Sequence, residues 1–180
     1  MTEPTAENCT HQYADDALQP GDPTAVMPWS DAVERLSAAR LFWLATVHPD
    51  GRPHVRPLFA AWVDGRLCTT SNPTARKARH LAADPRCSAT TTTDRVDFIV
   101  EGTAAPVTDP AMVERVFEAY RAKYGWPAGI VDGAYDAPFG APTAGPPPYQ
   151  PYAITPHIVY GIGTDEELAP RSTRWRFPAP

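Results

Sequence analysis

Hydrophobic residues fall into short runs along the chain, rich in β-branched and aromatic side chains and separated by turn residues. This pattern predicts β-strands. The runs cover residues 41–48, 53–63, 66–71, 86–93, 96–107 and 152–163, and residues 172–177 are a candidate for one more. Pro57 lies inside the second run and lacks a backbone N–H, so we expect that strand to lie at a sheet edge or to be bulged or broken.

Three other segments show helical spacing. One begins at Asp31, with Glu34 in the position of a capping box, and extends to residue 39. The second opens at Pro73 with Asn72 as its N-cap, and the third covers 110–125. Six antiparallel strands with two or three helices predict a mainly β fold, a β-barrel with helices rather than an α/β sheet.

The acidic charge is concentrated at the N-terminus. Residues 1–27 contain five Asp or Glu and no Lys or Arg, and their composition predicts a disordered tail ahead of one domain at 28–180. Of the 21 acidic residues in the chain, 16 then remain against 16 basic ones. A neutral domain with an acidic tail argues against nucleic acid as a partner.

The sequence predicts neither a membrane nor a metal partner. The apolar run at 41–47 is too short to span a bilayer, and no charged N-terminal segment leads into an apolar one. The five histidines lack metal-ligand spacing, and the three cysteines show no metal pattern. We therefore expect a cytoplasmic protein without a metal site.

A long segment at 125–151 contains seven Pro and five Gly, a composition typical of a linker. It also carries four aromatic residues, Trp126, Tyr135, Phe139 and Tyr149. We expect parts of it to be packed, and we expect it to act as a lid over a substrate pocket.

The segment at 71–81 places Arg76 and Lys77 near the start of its helix, at the positive pole of the helix dipole. Each cation there costs about 0.3–1 kcal/mol unless an anion is present. A bound phosphate would make these two charges favourable instead of costly. The N–H groups at a helix N-terminus also bind phosphate, and Thr70 and Ser71 offer hydroxyl donors. The alternative is that both cations are simply solvated, in a domain that binds partners and no cofactor.

Three motifs together resemble the pyridoxamine 5'-phosphate oxidase-like superfamily of flavin- and deazaflavin-binding proteins. They are "DGRPHVRPL" (50–58), "SNPTARKARHLAADPR" (71–86) and "VEGTA" (100–104), within a likeness that spans 29–163. The resemblance implies a six-stranded antiparallel split β-barrel of the FMN-binding type. It also implies a homodimer with the cofactor at the interface and a small-molecule substrate.

The resemblance further implies which residues contact the cofactor. Arg76 and Lys77, with Thr70 and Ser71, would hold the phosphate. The strand at 55–58 would run along the ring system, Asp97 would contact the ring edge, and Trp175 would reach the cofactor of the partner subunit. The ring-facing set is Val55, Arg56, Pro57 and Leu58.

Departures from the family pattern narrow the expected activity. "HVRPLF" stands where true pyridoxamine phosphate oxidases carry Arg-x-Val-Leu-Leu-Lys, and their C-terminal Arg-Leu-His-Asp-Arg motif is missing. The likeness is therefore to the broader branch of oxidoreductases that use FMN or coenzyme F420. The 14 Arg against 2 Lys are typical of a GC-rich genome, which tilts the choice towards F420. The alternative is a non-enzymatic flavin- or haem-binding protein, and no side chain is assigned as catalytic.

Overall fold

A computed structural model describes residues 3–14, 17–138, 140 and 145–178 of the chain. The helices in these residues are α1 (Trp29–Ala38), α2 (Arg76–Ala83) and α3 (Pro110–Tyr124), with a short 3-10 helix at Ala169–Arg171. Over the described ranges, every helix is too short or too polar to cross a membrane.

The described part of the chain also contains thirteen strands. In chain order they are β1 (Thr5–Asn8), β2 (His11–Ala14), β3 (Ala17–Pro20), β4 (Phe42–Val47), β5 (Pro53–Leu58), β6 (Ala60–Val63), β7 (Arg66–Ser71), β8 (Arg86–Thr93), β9 (Val96–Pro106), β10 (Gly129–Val131), β11 (Ala134–Asp136), β12 (Gln150–Gly163) and β13 (Thr173–Arg176).

Nine of the strands form one antiparallel sheet around β12. The pairing order is β1-β13-β12-β9-β8-β4-β5, and β12 also pairs with β7, which in turn pairs with β6. The predicted mainly β, antiparallel fold is confirmed. The strand count exceeds six because the second run divides into β5 and β6, the C-terminal run forms β13, and the N-terminal segment adds β1. Closure into a barrel stays a prediction.

The second hydrophobic run breaks at Phe59, between β5 and β6. Pro57 lies on β5, which is the edge strand beside β4, so the prediction of an edge or broken strand is confirmed. The carbonyl oxygen of Phe59 accepts hydrogen bonds from the hydroxyls of Tyr120 and Thr69. Tyr124, also on α3, donates to the carbonyl of Ala60 at 2.7 Å. These bonds satisfy the backbone groups that the break removes from the ladder.

The N-terminal segment differs from the prediction. Residues Thr5–Asn8 form β1 and pair with β13, and Glu7 forms an ion pair with Arg174. The amide of Asn8 donates to the carbonyl of Pro170 at 2.9 Å. The prediction of disorder is therefore wrong for these residues, because their partners lie at the opposite end of the sequence, where local composition gives no signal. The domain boundary at residue 28 stays a prediction.

Helix α1 begins at Trp29, two residues before the predicted Asp31. Pro28 occupies the N-cap position and no side chain caps the helix, so the predicted capping box is wrong. Tertiary packing explains the earlier start, because the Trp29 ring lies 5.3 Å from Trp175 and 5.8 Å from Trp62, measured between centroids. Burial of this aromatic contact area outweighs a local cap.

Buried side chains form two clusters. The larger one lies between the sheet and α1 and includes Leu36, Phe42, Leu44, Phe98, Ile154 and Trp175. The second one lies between α3, the β6–β7 hairpin and the segment after α3, and includes Val63, Cys68, Val116, Tyr120, Tyr135 and Tyr149. These clusters fix α3 and the following segment to the sheet.

Parts of the segment after α3 are packed, as predicted. Its hairpin, β10 and β11, places Tyr135 in the second cluster, where the ring is fully buried. The backbones of Tyr135 and Tyr149 exchange two hydrogen bonds of 2.8 and 2.9 Å, and Trp126 lies 5.5 Å from Tyr149 between ring centroids. Phe139, the fourth aromatic residue of the predicted lid, lies outside the described residues. The lid role stays a prediction.

Candidate functional site

Helix α2 starts at Arg76, three residues later than the sequence predicts. Asn72 does not cap the helix; Ala75 occupies the N-cap position instead. The Oδ1 atom of Asn72 accepts hydrogen bonds from both the N–H and the hydroxyl of Thr74, each at 2.7 Å. A turn at 72–75 therefore precedes the helix, with Pro73 at the turn position that favours proline. The later start makes Arg76 and Lys77 the first two helical residues.

The two cations at this helix start have no internal anion. The first turn of α2 contains no acidic residue and no side-chain cap. Over the described residues, Arg76 and Lys77 make neither a hydrogen bond nor an ion pair with another side chain. Arg76 is exposed, while Lys77 is half-buried and burial lowers its pKa. Unpaired cations beside free helix N–H groups form a site that favours an anion.

The predicted hydroxyl residues lie at the end of β7, next to this turn. Ser71 is buried, and its Oγ donates to the carbonyl of Asn72 at 3.1 Å. Thr70 is half-buried and pairs with Pro151 across the ladder. Successive strand residues face opposite sides, so Ser71 and Thr70 do not share a face. Ser71 lies closer along the chain to the helix start, with its oxygen still able to accept a bond.

The predicted ring-facing strand presents two faces. Leu58, which is buried, and Arg56 share the face of β5 that is turned towards α2, while Val55 and Pro57 lie on the exposed opposite face. The guanidinium of Arg56 donates to the carbonyl of Val55 at 2.8 Å. The structure therefore brings Arg56 to the α2 side and leaves Val55 and Pro57 on the outside of the sheet.

Three histidines that carry no metal-type spacing meet beside α2. The ring centroids of His48 and His80 are 5.1 Å apart, and those of His54 and His80 are 4.8 Å apart. His80 is buried one helical turn after Arg76. The described residues contain no group of three or more potential ligands arranged to hold a metal ion. No local sequence signal pointed to the cluster, because its three members come from separate parts of the chain.

Burial and neighbouring cations lower the pKa of two of these rings, His54 and His80. Desolvation lowers the pKa of His54, and the charges of Arg56 and Arg76 lower it further. Desolvation likewise lowers the pKa of His80, helped by His48, Arg79 and Arg76. The Nε2 atom of His54 is buried and has no hydrogen-bond partner among the described residues. The cations Arg56, Arg76 and Arg79 therefore lie close enough to these two rings to disfavour their protonation.

Asp97 lies away from this cluster in the same chain. It pairs with Thr92 and Ile162 near the start of β9, and its Oδ1 atom is buried without a partner among the described residues. The residue of β9 that lies in register with the cluster is instead Gly102. It pairs with Cys87, and Cys87 pairs with Thr46, whose hydroxyl lies 3.1 Å from Nδ1 of His80. Five residues along a strand span roughly 17 Å, so Asp97 is not brought to the α2 site of its own chain.

Trp175 is also not brought to the site. Its side chain is fully buried in the larger cluster, in contact with Trp29 and packed over Gly161. A side chain with no exposed surface cannot reach a cofactor in a partner subunit, so the structure does not support this implied role. The residue fills the core because β13 is held between β1 and β12.

The mainly antiparallel sheet with α2 after β7 defines a fold seen in cofactor-binding proteins. The chain resembles the structure of a pyridoxamine 5'-phosphate oxidase-related, FMN-binding protein from Nostoc punctiforme, with 19% identity, 85% of this chain and 98% of that chain covered, and a TM-score of 0.50. It also resembles an F420 reductase, with 22% identity, 70% and 93% coverage, and a TM-score of 0.51. At these identities the likeness concerns the fold.

The chain belongs to the pyridoxamine 5'-phosphate oxidase family, whose model matches residues 30–160. A curated relative, the pyridoxine/pyridoxamine 5'-phosphate oxidase of Pseudomonas entomophila (strain L48), is 42% identical over 76 residues. That alignment covers 39% of this chain and 35% of the relative, so the chain spans about a third of the length of the relative it matches. The resemblance drawn from the sequence motifs is confirmed at the level of the family.

Proposed function

We propose that this protein is an oxidoreductase that binds FMN or coenzyme F420, with the cofactor phosphate at the start of α2. The observation that carries the proposal is the pair Arg76 and Lys77, which stand without an anionic partner in the described residues at an uncapped helix N-terminus. Family membership and the names of structural relatives, one FMN-binding and one an F420 reductase, support the same cofactor class.

Each group at the helix start has a distinct role in holding a phosphate. The guanidinium of Arg76 is exposed and can bind two phosphate oxygens at once, while the ammonium of Lys77 acts as a partly desolvated point charge. The first N–H groups of α2 donate further bonds, since no side chain caps them. One of the two hydroxyls at the end of β7 would add a donor, since Ser71 and Thr70 face opposite sides of the strand and the Ser71 hydroxyl would first have to leave the Asn72 carbonyl.

The ring system would lie along β5. As an edge strand, β5 leaves one row of backbone N–H and C=O groups unpaired with another strand in the described residues, apart from Pro53 and Pro57, which have no N–H. Arg56 and His54 lie on the α2 side of this strand. When bound, a flavin or deazaflavin supplies hydride transfer, and the chain supplies position and charge.

The same edge favours a homodimer. Leu41, Trp43, Val55 and Phe59 are 44–56% exposed and lie on β4, β5 and their ends. We call this set the apolar edge patch. Large exposed apolar side chains grouped on an edge strand are typical of a surface that another molecule covers. A second copy would cover the patch and bring the outer face of β5 next to the interface.

Titration of the purified protein tests the cofactor. We expect FMN or F420 to bind with a change in the cofactor absorption spectrum, and Arg76→Ala with Lys77→Ala to weaken binding by about 2–4 kcal/mol. Arg79→Ala is the matched control, because Arg79 is an exposed cation later in the same helix. Equal affinity in the double variant and the wild type would overturn the phosphate site.

Turnover separates an enzyme from a carrier. Bleaching of the bound cofactor by a reductant, followed by substrate-dependent reoxidation, is expected of an oxidoreductase. Pyridoxamine 5'-phosphate belongs in the substrate panel because the curated relative is named for it. As an electron donor it is tested by bleaching of the oxidised cofactor, not by reoxidation of the reduced one. Tight binding with no turnover across the panel would favour the non-enzymatic alternative.

A further inference from the structure

Asn72 connects two parts of the molecule through one buried side chain. It is 7% exposed and follows Ser71 at the end of β7. Its Oδ1 atom closes the turn before α2 by accepting from the N–H and hydroxyl of Thr74. Its Nδ2 atom donates to the carbonyl oxygen of Pro146 at 2.7 Å. The turn and the segment at 145–149 therefore share one hydrogen-bonding residue.

The turn sets where the cations of α2 lie. The N–H of Ala75 donates to the carbonyl of Asn72 at 3.0 Å, and Arg76 follows directly as the first helical residue. The backbone bond joins the two ends of the four-residue turn, and the Asn72 side chain fixes its third residue, Thr74. The direction of the first N–H groups of α2, and the position of Lys77, therefore depend on Asn72.

The 145–149 segment, which Asn72 contacts through Pro146, is also held by hydrogen bonds of its own. The hydroxyl of Tyr149 donates to the carbonyl of Gly145 at 2.6 Å, and its backbone pairs with Tyr135 of the packed hairpin. Gln150 then begins β12 opposite Ser71. A displacement of the 145–149 segment is thus transmitted to the hairpin on one side and to the turn on the other.

We infer that Asn72 is a positioning residue that couples the phosphate site to the 145–149 segment. This inference rests on the proposed function of Arg76 and Lys77. An anion that fixes the turn also fixes the acceptor side of Asn72, and its amide then holds Pro146 in place. Because coupling between two sites is reciprocal, a well-placed segment in turn favours anion binding.

Hydrogen–deuterium exchange measures this coupling with inorganic phosphate as the probe. In the wild type, saturating phosphate slows exchange in a peptide that covers 145–150. Its informative amides are those of Tyr149 and Gln150, because Pro146, Pro147 and Pro148 have no N–H. In Asn72→Ala that peptide exchanges faster without phosphate, and phosphate no longer slows its exchange. The affinity for phosphate falls about 3–10-fold, as expected when neutral hydrogen bonds that order a site are lost.

Two further variants distinguish the role of the Asn72 Oδ1 atom, which bonds to Thr74, from that of Nδ2, which bonds to Pro146. Asn72→Asp keeps an acceptor for Thr74 but loses the donor to Pro146, so the effect of phosphate on the 145–150 peptide should be lost there too. It also serves if Asn72→Ala does not fold. Thr74→Val removes one bond of the turn and leaves the Pro146 bond intact, so phosphate should still protect the peptide.

Two results would overturn the inference. The first is wild-type protection by phosphate in either Asn72 variant, and the second is identical exchange of the peptide in wild type and Asn72→Ala without phosphate. Failure of the proposed function gives a different pattern: phosphate affinity is then unchanged in the Arg76→Ala, Lys77→Ala double variant. Loss of affinity in that double variant, together with persisting protection in the Asn72 variants, rejects the coupling alone.

Discussion

His54 on β5 and His80 on α2 meet with their ring planes nearly perpendicular, at 86° and 4.8 Å between centroids. The hydroxyl of Thr46 on β4 lies 3.1 Å from Nδ1 of His80 and 3.4 Å from Nδ1 of His54. Three elements therefore converge on one small polar contact. Because His80 and Arg76 share a helix face, this contact also sets the orientation of the proposed phosphate site.

The histidine contact predicts that stability falls at mildly acidic pH. A histidine whose pKa is lowered by folding binds its proton more readily in the unfolded chain, so protonation favours unfolding. The free energy of unfolding should be constant above the ordinary pKa of 6.5 for His54 and His80 and should fall as the pH drops below it. The slope is at most about 1.4 kcal/mol per pH unit for each histidine.

Urea unfolding between pH 5 and 8 measures this slope. His80→Gln keeps a side chain that can bond to Thr46 but does not titrate, so its slope below pH 6.5 should be smaller than in the wild type. The same slope in both proteins would contradict the assignment of the pH dependence to His80.

Removal of Arg76 should have opposite effects on stability with and without phosphate. Without anions, Arg76→Ala should raise the free energy of unfolding by about 0.3–1 kcal/mol, because a cation leaves the positive end of α2. With phosphate at 100 times its Kd for the wild type, the free energy of unfolding of the wild type should rise by about 2.7 kcal/mol, and that of Arg76→Ala should rise by less. Urea unfolding in both buffers shows whether the order of stability of the wild type and Arg76→Ala reverses when phosphate is added. Arg79→Ala should not show this reversal.

Disruption of the apolar edge patch should dissociate the proposed dimer. We expect light scattering to give twice the 19.6 kDa mass of one chain for the wild type and the mass of one chain for Trp43→Glu. Burying a carboxylate without a partner at an interface is strongly unfavourable. Val131→Glu is the control, since Val131 is 53% exposed but lies on the β10–β11 hairpin outside the patch. A wild-type monomer at micromolar concentration would refute the dimer.

Gly102 should not tolerate a side chain. A Cβ at this position would lie 2.1 Å from the carbonyl oxygen of Thr155, opposite the register shift in β12. We expect Gly102→Ala to lower the free energy of unfolding by at least about 1–3 kcal/mol, as overpacking does. Gly129→Ala is the control, because a Cβ there meets nothing within 4 Å. Thermal unfolding of the two variants distinguishes steric conflict from a general glycine effect.

Local signals predicted most strand and helix positions correctly. The strand run at 66–71 matches β7 at both ends, and α3 begins beside its N-cap Asp109 and ends at Gly125, which has a left-handed backbone. Such boundaries depend on residues adjacent in the sequence. The start of α2 was missed for a related reason: Asn72 bonds to Thr74 in a turn, and an Asx turn and an N-cap use the same residue types.

Features that depend on distant partners were not predictable in this way. The histidine contact combines residues from β4, β5 and α2, and the strand at 5–8 requires β13. The resemblance implied that Trp175 reaches a cofactor in the partner subunit, yet its side chain is fully buried, on a strand that pairs with both β1 and β12. Arg76 and Lys77 could be singled out because the chemistry of a helix end is local, and their role in holding a phosphate stays a prediction.

The central position of β12 has a consequence for synthesis of the protein. This strand, residues 150–163, pairs with β9 along its length, with β7 near its start and with β13 near its end. While the ribosome is still translating residues before Gln150, β7 and β9 both lack their shared partner. Nascent chains of this length expose unpaired strand edges to one another, so translation pauses just before residue 150 should promote aggregation, whereas the released full-length chain should not aggregate in this way.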